Sequence, residues 1–136
     1  MSTIAPVPEV PVDDTALAEA LALADRFIDG TNELDPARRR QLVEGTWSPA
    51  GHFVDPLHEA TGHDQLDALF AQVHINFPGF VFARTGTVER LQRWMRFSWE
   101  LRGEDDFLLA AGTDIGEIAD GKLDRIVSFY DHLATT

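Results

Sequence analysis

A chain of 136 residues with 11 Lys and Arg against 23 Asp and Glu carries a formal charge of −12 and contains no cysteine. That length fits one domain able to bury about two-thirds of its unfolded surface, and the composition is that of a globular protein. The charge opposes phosphate backbones and anionic lipid, so no nucleic acid and no membrane is expected as a partner, and without cysteine there is no disulfide framework, thiolate nucleophile or zinc–thiolate site.

No apolar run approaches the roughly 20 residues of a membrane span. Met1-Ser2-Thr3-Ile4 lacks the basic start of a signal peptide, and prolines at 6, 8 and 11 interrupt any apolar stretch. The expected class is a soluble, acidic, cytoplasmic domain. Residues 1–12 read as a proline-rich, flexible tail and residues 13–136 as the domain.

Helical periodicity begins after the tail. Asp13, Asp14 or Thr15 can cap the first turn, and Leu17, Leu21, Ala24 and Ile28 share a face with Ala20 and Phe27 beside it. Gly30 and Asn32 end that helix. A second helix starts at Pro36 and turns Leu42 and Val43 inward, while Arg38-Arg39-Arg40 reads as a solvated face. Gly51-His52-Phe53-Val54-Asp55-Pro56 reads as a short strand. A third helix fits residues 63–76, with Leu66, Leu69, Phe70, Val73 and Phe77 on one face, ended by Pro78-Gly79.

The remainder is strand-like: Phe80 to Phe82, Val88 to Leu101, Phe107 to Ile118 and Leu123 to Tyr130. Ala119-Asp120-Gly121-Lys122 is a hairpin-turn signal. Helices first and an antiparallel meander afterwards predict an α+β fold with helices packed on a curved sheet.

Strand parity separates the faces. Met95, Phe97, Trp99 and Leu101 point one way, and Trp94, Arg96, Ser98 and Glu100 the other, a mixed face that suits solvent or a second subunit. In the next strand Leu108, Ala110, Gly112, Asp114 and Gly116 share a side, opposite Leu109, Ala111, Thr113 and Ile115. The small residues leave room beside Asp114, and a carboxylate in mid-strand among aromatic segments is costly unless paired or protonated. Asp55, at a strand end beside Phe53 and near Trp47, is the second such residue. Desolvation there would suit it to proton transfer, whereas an Asp-Pro turn would have it accept its own backbone N–H groups.

Over residues 14–132 the helices come first, then His52-Phe53-Val54-Asp55-Pro56 with Gly62 following, His74-Ile75-Asn76-Phe77-Pro78-Gly79, Arg96-Phe97-Ser98-Trp99, and Gly112-Thr113-Asp114 before Asp120-Gly121-Lys122. In this order and spacing the chain resembles the SnoaL-like branch of the NTF2-like superfamily. The resemblance implies a cone, with a curved antiparallel sheet wrapped around helices, an internal pocket and a homodimer formed through the sheet. The superfamily includes ketosteroid isomerase, polyketide cyclases, scytalone dehydratase and limonene epoxide hydrolase, beside binding proteins without chemistry, so fold alone does not assign an activity. The resemblance implies Asp55 as general base and Asp114 as a protonated aspartic acid donating to an oxyanion. The isomerase's oxyanion tyrosine follows an arginine on the first helix, whereas Arg26 here is followed by Phe27. Loss of one such donor costs about 3 kcal/mol of transition-state stabilisation, which disfavours efficient ketosteroid isomerisation and suits the cyclase branch better. The epoxide hydrolase needs an arginine between two aspartates, and Arg96 has the wrong parity for it.

His74, near the end of the third helix, is a candidate pocket donor or base, or else a cap for helix-terminal carbonyls. His52, His58 and His63 have no compact ligand spacing, so no metal is expected. No nucleophile elbow or phosphate-cradling glycine loop is present, and no cofactor is implied. Phe27, Trp47, Phe53, Phe77, Trp99 and Phe129 are the candidates to line a pocket for a small apolar or polycyclic ligand. The expected function is binding of such a ligand with cofactor-free proton transfer of isomerase, cyclase or dehydratase type. The alternative is a non-catalytic binding or dimeric interaction module.

Overall fold

Two aspartates start the first two helices of the computed structural model, which describes residues 13–135; the proline-rich tail 1–12 lies outside the described residues. Asp13 accepts from the Ala16 N–H at 2.7 Å and opens α1 (Asp14–Asn32). Asp35 accepts from the Arg38 N–H at 3.0 Å and opens α2 (Pro36–Thr46), with Pro36 in the first turn where its missing N–H costs nothing. After α2 come β1 (Trp47–Val54), β2 (Glu59–Thr61) and α3 (Gly62–Asn76). Four long strands follow: β3 (Val81–Leu91), β4 (Trp94–Arg102), β5 (Leu108–Ala119) and β6 (Lys122–Leu133).

The strands form one sheet in the order β2-β1-β6-β5-β4-β3, and the helices pack against it. The result is an α+β cone. The sheet is mixed rather than wholly antiparallel, because β1 runs parallel to β6. A crossover through α3 and four further strands separates these two strands in sequence, as parallel neighbours require. Irregularities interrupt the register in β3–β4, β4–β5 and twice in β5–β6. Each extra residue bends its strand and adds local twist, which curls the sheet around the helices.

The buried face of α1 is rotated from the expected one. Ala20, Leu23, Ala24, Phe27 and Ile28 are buried, whereas Leu17 and Leu21 are each 39% exposed. The helix is drawn sideways onto the edge strand β3. Asn32 both donates to the Phe82 carbonyl and accepts from its N–H, each at 2.8 Å, and Arg84 and Arg90 bond Asp25 and Glu19 at 2.9 Å. These contacts cover an edge that would otherwise present free backbone groups.

The segment Val88 to Leu101 is not one strand but parts of β3 and β4, joined at Gln92-Arg93, where Gln92 takes φ +54°. Arg39 is not on a solvated face. It is buried, donating to Asp67 at 3.0 Å and to the Glu33 carbonyl at 3.1 Å, and so ties α2 to α3. Arg40 bonds Glu44 and Asp64 beside it.

Candidate functional site

The inner face of β4 is the expected one: Met95, Phe97, Trp99 and Leu101 are all buried. Across from it on β5, Ala110, Gly112, Asp114 and Gly116 are buried on the same side. The room left by the glycines is not empty. A Cβ on Gly112 would lie 2.5 Å from the Trp99 ring and from the Phe129 carbonyl, and one on Gly116 would lie 2.9 Å from Met95. Gly112 therefore lets the Trp99 indole lie close over β5, where its N–H donates to Asp114 Oδ1 at 2.8 Å.

Asp114 is 1% exposed. Burial raises its carboxyl from 3.8 to about 7; hydrogen bonds from Ser128 and Trp99 act against that rise, and the charge of Asp55 adds to it. Near neutral pH the group is thus divided between acid and carboxylate.

Asp55 follows β1 in a tight turn with Pro56, Leu57 and His58. Its N–H donates to the His58 carbonyl at 2.9 Å, and its Oδ1 accepts from the Leu57 and His58 N–H groups at 2.8 and 2.6 Å. The Asp-Pro turn is therefore real, yet it uses one carboxylate oxygen only. Oδ2 accepts from the Tyr130 hydroxyl at 2.9 Å, and His58 Nδ1 lies 3.2 Å from Oδ1 and 3.3 Å from Oδ2. All these partners can be donors, the set an ionised carboxylate makes. The Asp55 side chain is 8% exposed, while that of His58 is 41% exposed. Burial first, then Asp55, raises the Tyr130 phenol above its ordinary value, which keeps it a protonated donor.

Both aspartates line one cavity of about 120 Å³. Phe27, Phe53, Phe77 and Trp99 line it as expected, and Phe70, Phe82 and Leu109 join them. Trp47 does not. It is packed in the core behind the cavity, edge-on to Phe27 with ring centroids 5.9 Å apart. Phe129 is 58% exposed and points away from the cavity. His74 also lies outside it; its Nε2 is 2.6 Å from the Thr31 carbonyl, so it ties α3 to the last turn of α1. Arg96 points outward to Glu89.

Among the cavity residues missed from sequence are Tyr130, Ser128, His58 and Leu109. A bulge explains the first two. Ile118 faces Leu123, but Glu117 faces Arg125, which leaves Asp124 unpaired and shifts the later register by one residue. A one-residue shift reverses every side chain beyond it, so Ser128 and Tyr130 turn inward and Phe129 outward. A bulge in β5 likewise turns Leu109 toward the cavity, since Arg102 faces Leu108 while Leu101 faces Ala110. For Tyr130 the available signal was the alternation Ile126, Ser128, Tyr130 at the end of the last strand.

Among the described residues, no three or more His, Asp or Glu side chains could hold a metal ion together. His52, His58, His63 and His74 are each bonded separately, to Glu59, Asp55, the Trp47 carbonyl and the Thr31 carbonyl. No helix among these residues is long and apolar enough to cross a membrane.

The chain is similar to a solved structure described as a proposed isomerase of the SnoaL-like family from Agrobacterium tumefaciens str. C58. The two are 33% identical with a TM-score of 0.80, over 85% of this chain and 99% of the other. The chain belongs to the SnoaL-like family. Two more distant SnoaL-like and isomerase-type structures share the fold. A proposed SnoaL-like polyketide cyclase from Jannaschia sp. CCS1 is 15% identical (TM-score 0.68, 93% of this chain and 92% of the other). A proposed ketosteroid isomerase from Kribbella flavida DSM 17836 is 17% identical (TM-score 0.66, 88% and 83%). No family model matches the chain, and no curated protein matches it.

Proposed function

We propose that this SnoaL-like protein binds a small, largely apolar carbonyl compound and moves a proton within it without a cofactor, as an isomerase, cyclase or dehydratase does. The observation that carries this reading is a pair of carboxyl groups on one apolar cavity in opposite environments. Asp55 is surrounded by donors, and Asp114 is buried and inclined to hold its proton. A buried carboxyl that holds its proton, beside one ringed by donors, divides the roles of acid and base. The structural relatives from Agrobacterium, Jannaschia and Kribbella are named for reactions of the same group.

Asp55 Oδ2 takes the proton from the carbon beside the carbonyl. The C–H electron pair becomes the C=C bond of an enolate, and the oxygen receives the hydrogen bond of protonated Asp114. Return of the proton from Asp55 to a different carbon gives the isomer, and no other reactant is consumed. Tyr130 holds Oδ2 in place before the transfer. A positioned general base contributes about 10²–10⁴-fold and an oxyanion donor about 10²–10³-fold.

Proton exchange between solvent deuterium and an enolisable ketone, followed by NMR, tests the assignment. Asp55→Asn is expected to abolish exchange and Asp114→Ala to slow it by about 10²-fold. Exchange unaffected by both substitutions would refute it. The engagement of Asp55 Oδ1 by its own turn favours a second reading, a binding module in which Asp55 only shapes the pocket mouth. That reading predicts ligand binding with no exchange.

The proposal extends to a homodimer through the outer face of the sheet. There Phe129 is exposed opposite Thr113, next to the row of Trp94, Arg96, Ser98 and Glu100. A sheet face with an aromatic centre and both charge signs can meet its own copy about a two-fold axis. A monomer in sedimentation at micromolar concentration would rule this out.

A further inference from the structure

The dimensions of the cavity narrow what it can hold. Its volume is about 120 Å³. A cavity of about 150 Å³ lined by aliphatic and aromatic side chains holds one benzene molecule, whereas sites for drug-sized ligands run to roughly 300–1,000 Å³. Four fused rings carry nearly three times the ring carbons of benzene and cannot be enclosed in such a space.

The aromatic wall is locked ring against ring. Phe27 stacks on Phe53 at 6.3 Å and meets Phe70 edge-on at 5.9 Å. Trp99 is edge-on to Phe82 at 5.5 Å and to Tyr130 at 5.7 Å. Densely packed rings of this kind do not yield without displacing their neighbours. Phe27 and Phe70 thus set the depth of the cavity, and Leu109 and Leu133 border it on the sheet side.

The polar groups narrow the chemistry. Thr31 donates its hydroxyl proton to the Ile28 carbonyl and Tyr130 donates to Asp55, while Trp99 and Ser128 bond Asp114. These donors are already engaged, and the His58 ring that also lines the cavity turns its Nδ1 to Asp55, which leaves the carboxyl proton of Asp114 for a ligand's acceptor oxygen. Two aspartates on one wall oppose a ligand that carries a negative charge.

We infer that the cavity takes a neutral carbonyl compound of one ring or comparable length, with its oxygen at Asp114, and excludes multi-ring ligands. The polar half of this inference rests on the proton-transfer reading; the upper size limit rests on the cavity alone.

Three neutral enones test it on the full chain: 2-cyclohexen-1-one, a two-ring octalone and a four-ring 3-keto-4-ene steroid. ¹H–¹⁵N spectra follow the three indole N–H groups, of which Trp99 alone lines the cavity. Cyclohexenone is expected to shift the Trp99 resonance at millimolar concentration and leave that of Trp94 in place. The octalone should bind at least about tenfold more weakly and the steroid not at all. A steroid or octalone that binds as tightly as cyclohexenone overturns the inference, and so does a Trp99 resonance that none of the three moves. Leu109→Ala enlarges the cavity and should raise octalone affinity about tenfold. Leu133→Ala, at the exposed rim, makes the same test if the first variant fails to fold, and no gain in either counts against the size limit.

Deuterium uptake at C4 or C6 of cyclohexenone, measured in the same samples, separates the two readings. Binding without uptake refutes proton transfer and leaves the size limit standing. Uptake into the steroid refutes the size limit and leaves proton transfer standing.

Discussion

Replacing Asp114 by Asn removes one titration from the native state and changes little else in shape. The asparagine Oδ1 can still accept the Trp99 N–H that the aspartate accepts at 2.8 Å. The native carboxyl is raised from 3.8 to about 7, chiefly by burial. A raised pKa means that the folded state holds the proton more tightly than the unfolded chain does. Asp114 is therefore tolerated in full below about pH 4, and stability is lost as pH rises through about 7. The span from 3.8 to about 7 corresponds to roughly 4 kcal/mol of lost stability once both states are ionised. The Asn variant escapes that loss. In urea titrations from pH 4 to 9 the two proteins should differ by less than about 1 kcal/mol at the acid end, with Asp114→Asn more stable by roughly 3–4 kcal/mol at pH 8. Groups remote from Asp114 contribute equally to both curves, so the difference reports this carboxyl together with its coupling to Asp55 and Tyr130. A difference that stays flat across the range would refute the burial argument.

Two further substitutions probe the supports of the site. Tyr130→Phe keeps the ring and removes the hydroxyl that donates to Asp55 at 2.9 Å; denaturant unfolding at pH 7 should show a loss of about 1.5–3 kcal/mol, the range for a bond to a charged group. Gly112→Ala sets a methyl group where the Trp99 ring and the Phe129 carbonyl stand at 2.5 Å, so it should cost about 2 kcal/mol or more and shift the Trp99 indole resonance.

What could be read from sequence, and what could not, follows from how local each signal is. The Asp120-Gly121 turn was legible because both residues take positive φ, +52° and +76°, which Asp-Gly tolerates. The turn at Gln92-Arg93 was not legible, since neither residue type marks a turn and Gln92 adopts φ +54° only because β3 and β4 pair on either side. The inward row Met95, Phe97, Trp99, Leu101 and the buried Asp114 follow from alternation within one strand. The positions of Tyr130 and Phe129 depend instead on an unpaired residue at Asp124, and the alternation Ile126, Ser128, Tyr130 beyond it cannot be phased against Leu123 without that bulge. His74 was placed on the right helix end, yet its partner belongs to α1, 43 residues earlier. Asp55 combines both cases: its turn was readable from Asp-Pro, whereas its bond to Tyr130 spans 75 residues and required the fold.

The charge of Asp55 also bears on the buried carboxyl of Asp114. A buried carboxyl can be raised by desolvation alone, and then it would say nothing about Asp55. Here desolvation is the largest cause and the charge of Asp55 a smaller one, acting in the same direction. Asp55→Asn removes that charge and leaves Asp114 as buried as before. The midpoint of Asp114 should therefore fall, while remaining well above the ordinary carboxylate value because burial persists. Carboxyl ¹³C titration by NMR reads the midpoint directly in both proteins. An unchanged midpoint would mean that the two charges do not sense each other across the cavity, and the division into base and acid would lose its electrostatic basis. A midpoint that returns to the ordinary value would mean the reverse error: Asp55, and not the apolar wall of Phe53, Trp99 and Tyr130, would be what keeps the proton on Asp114.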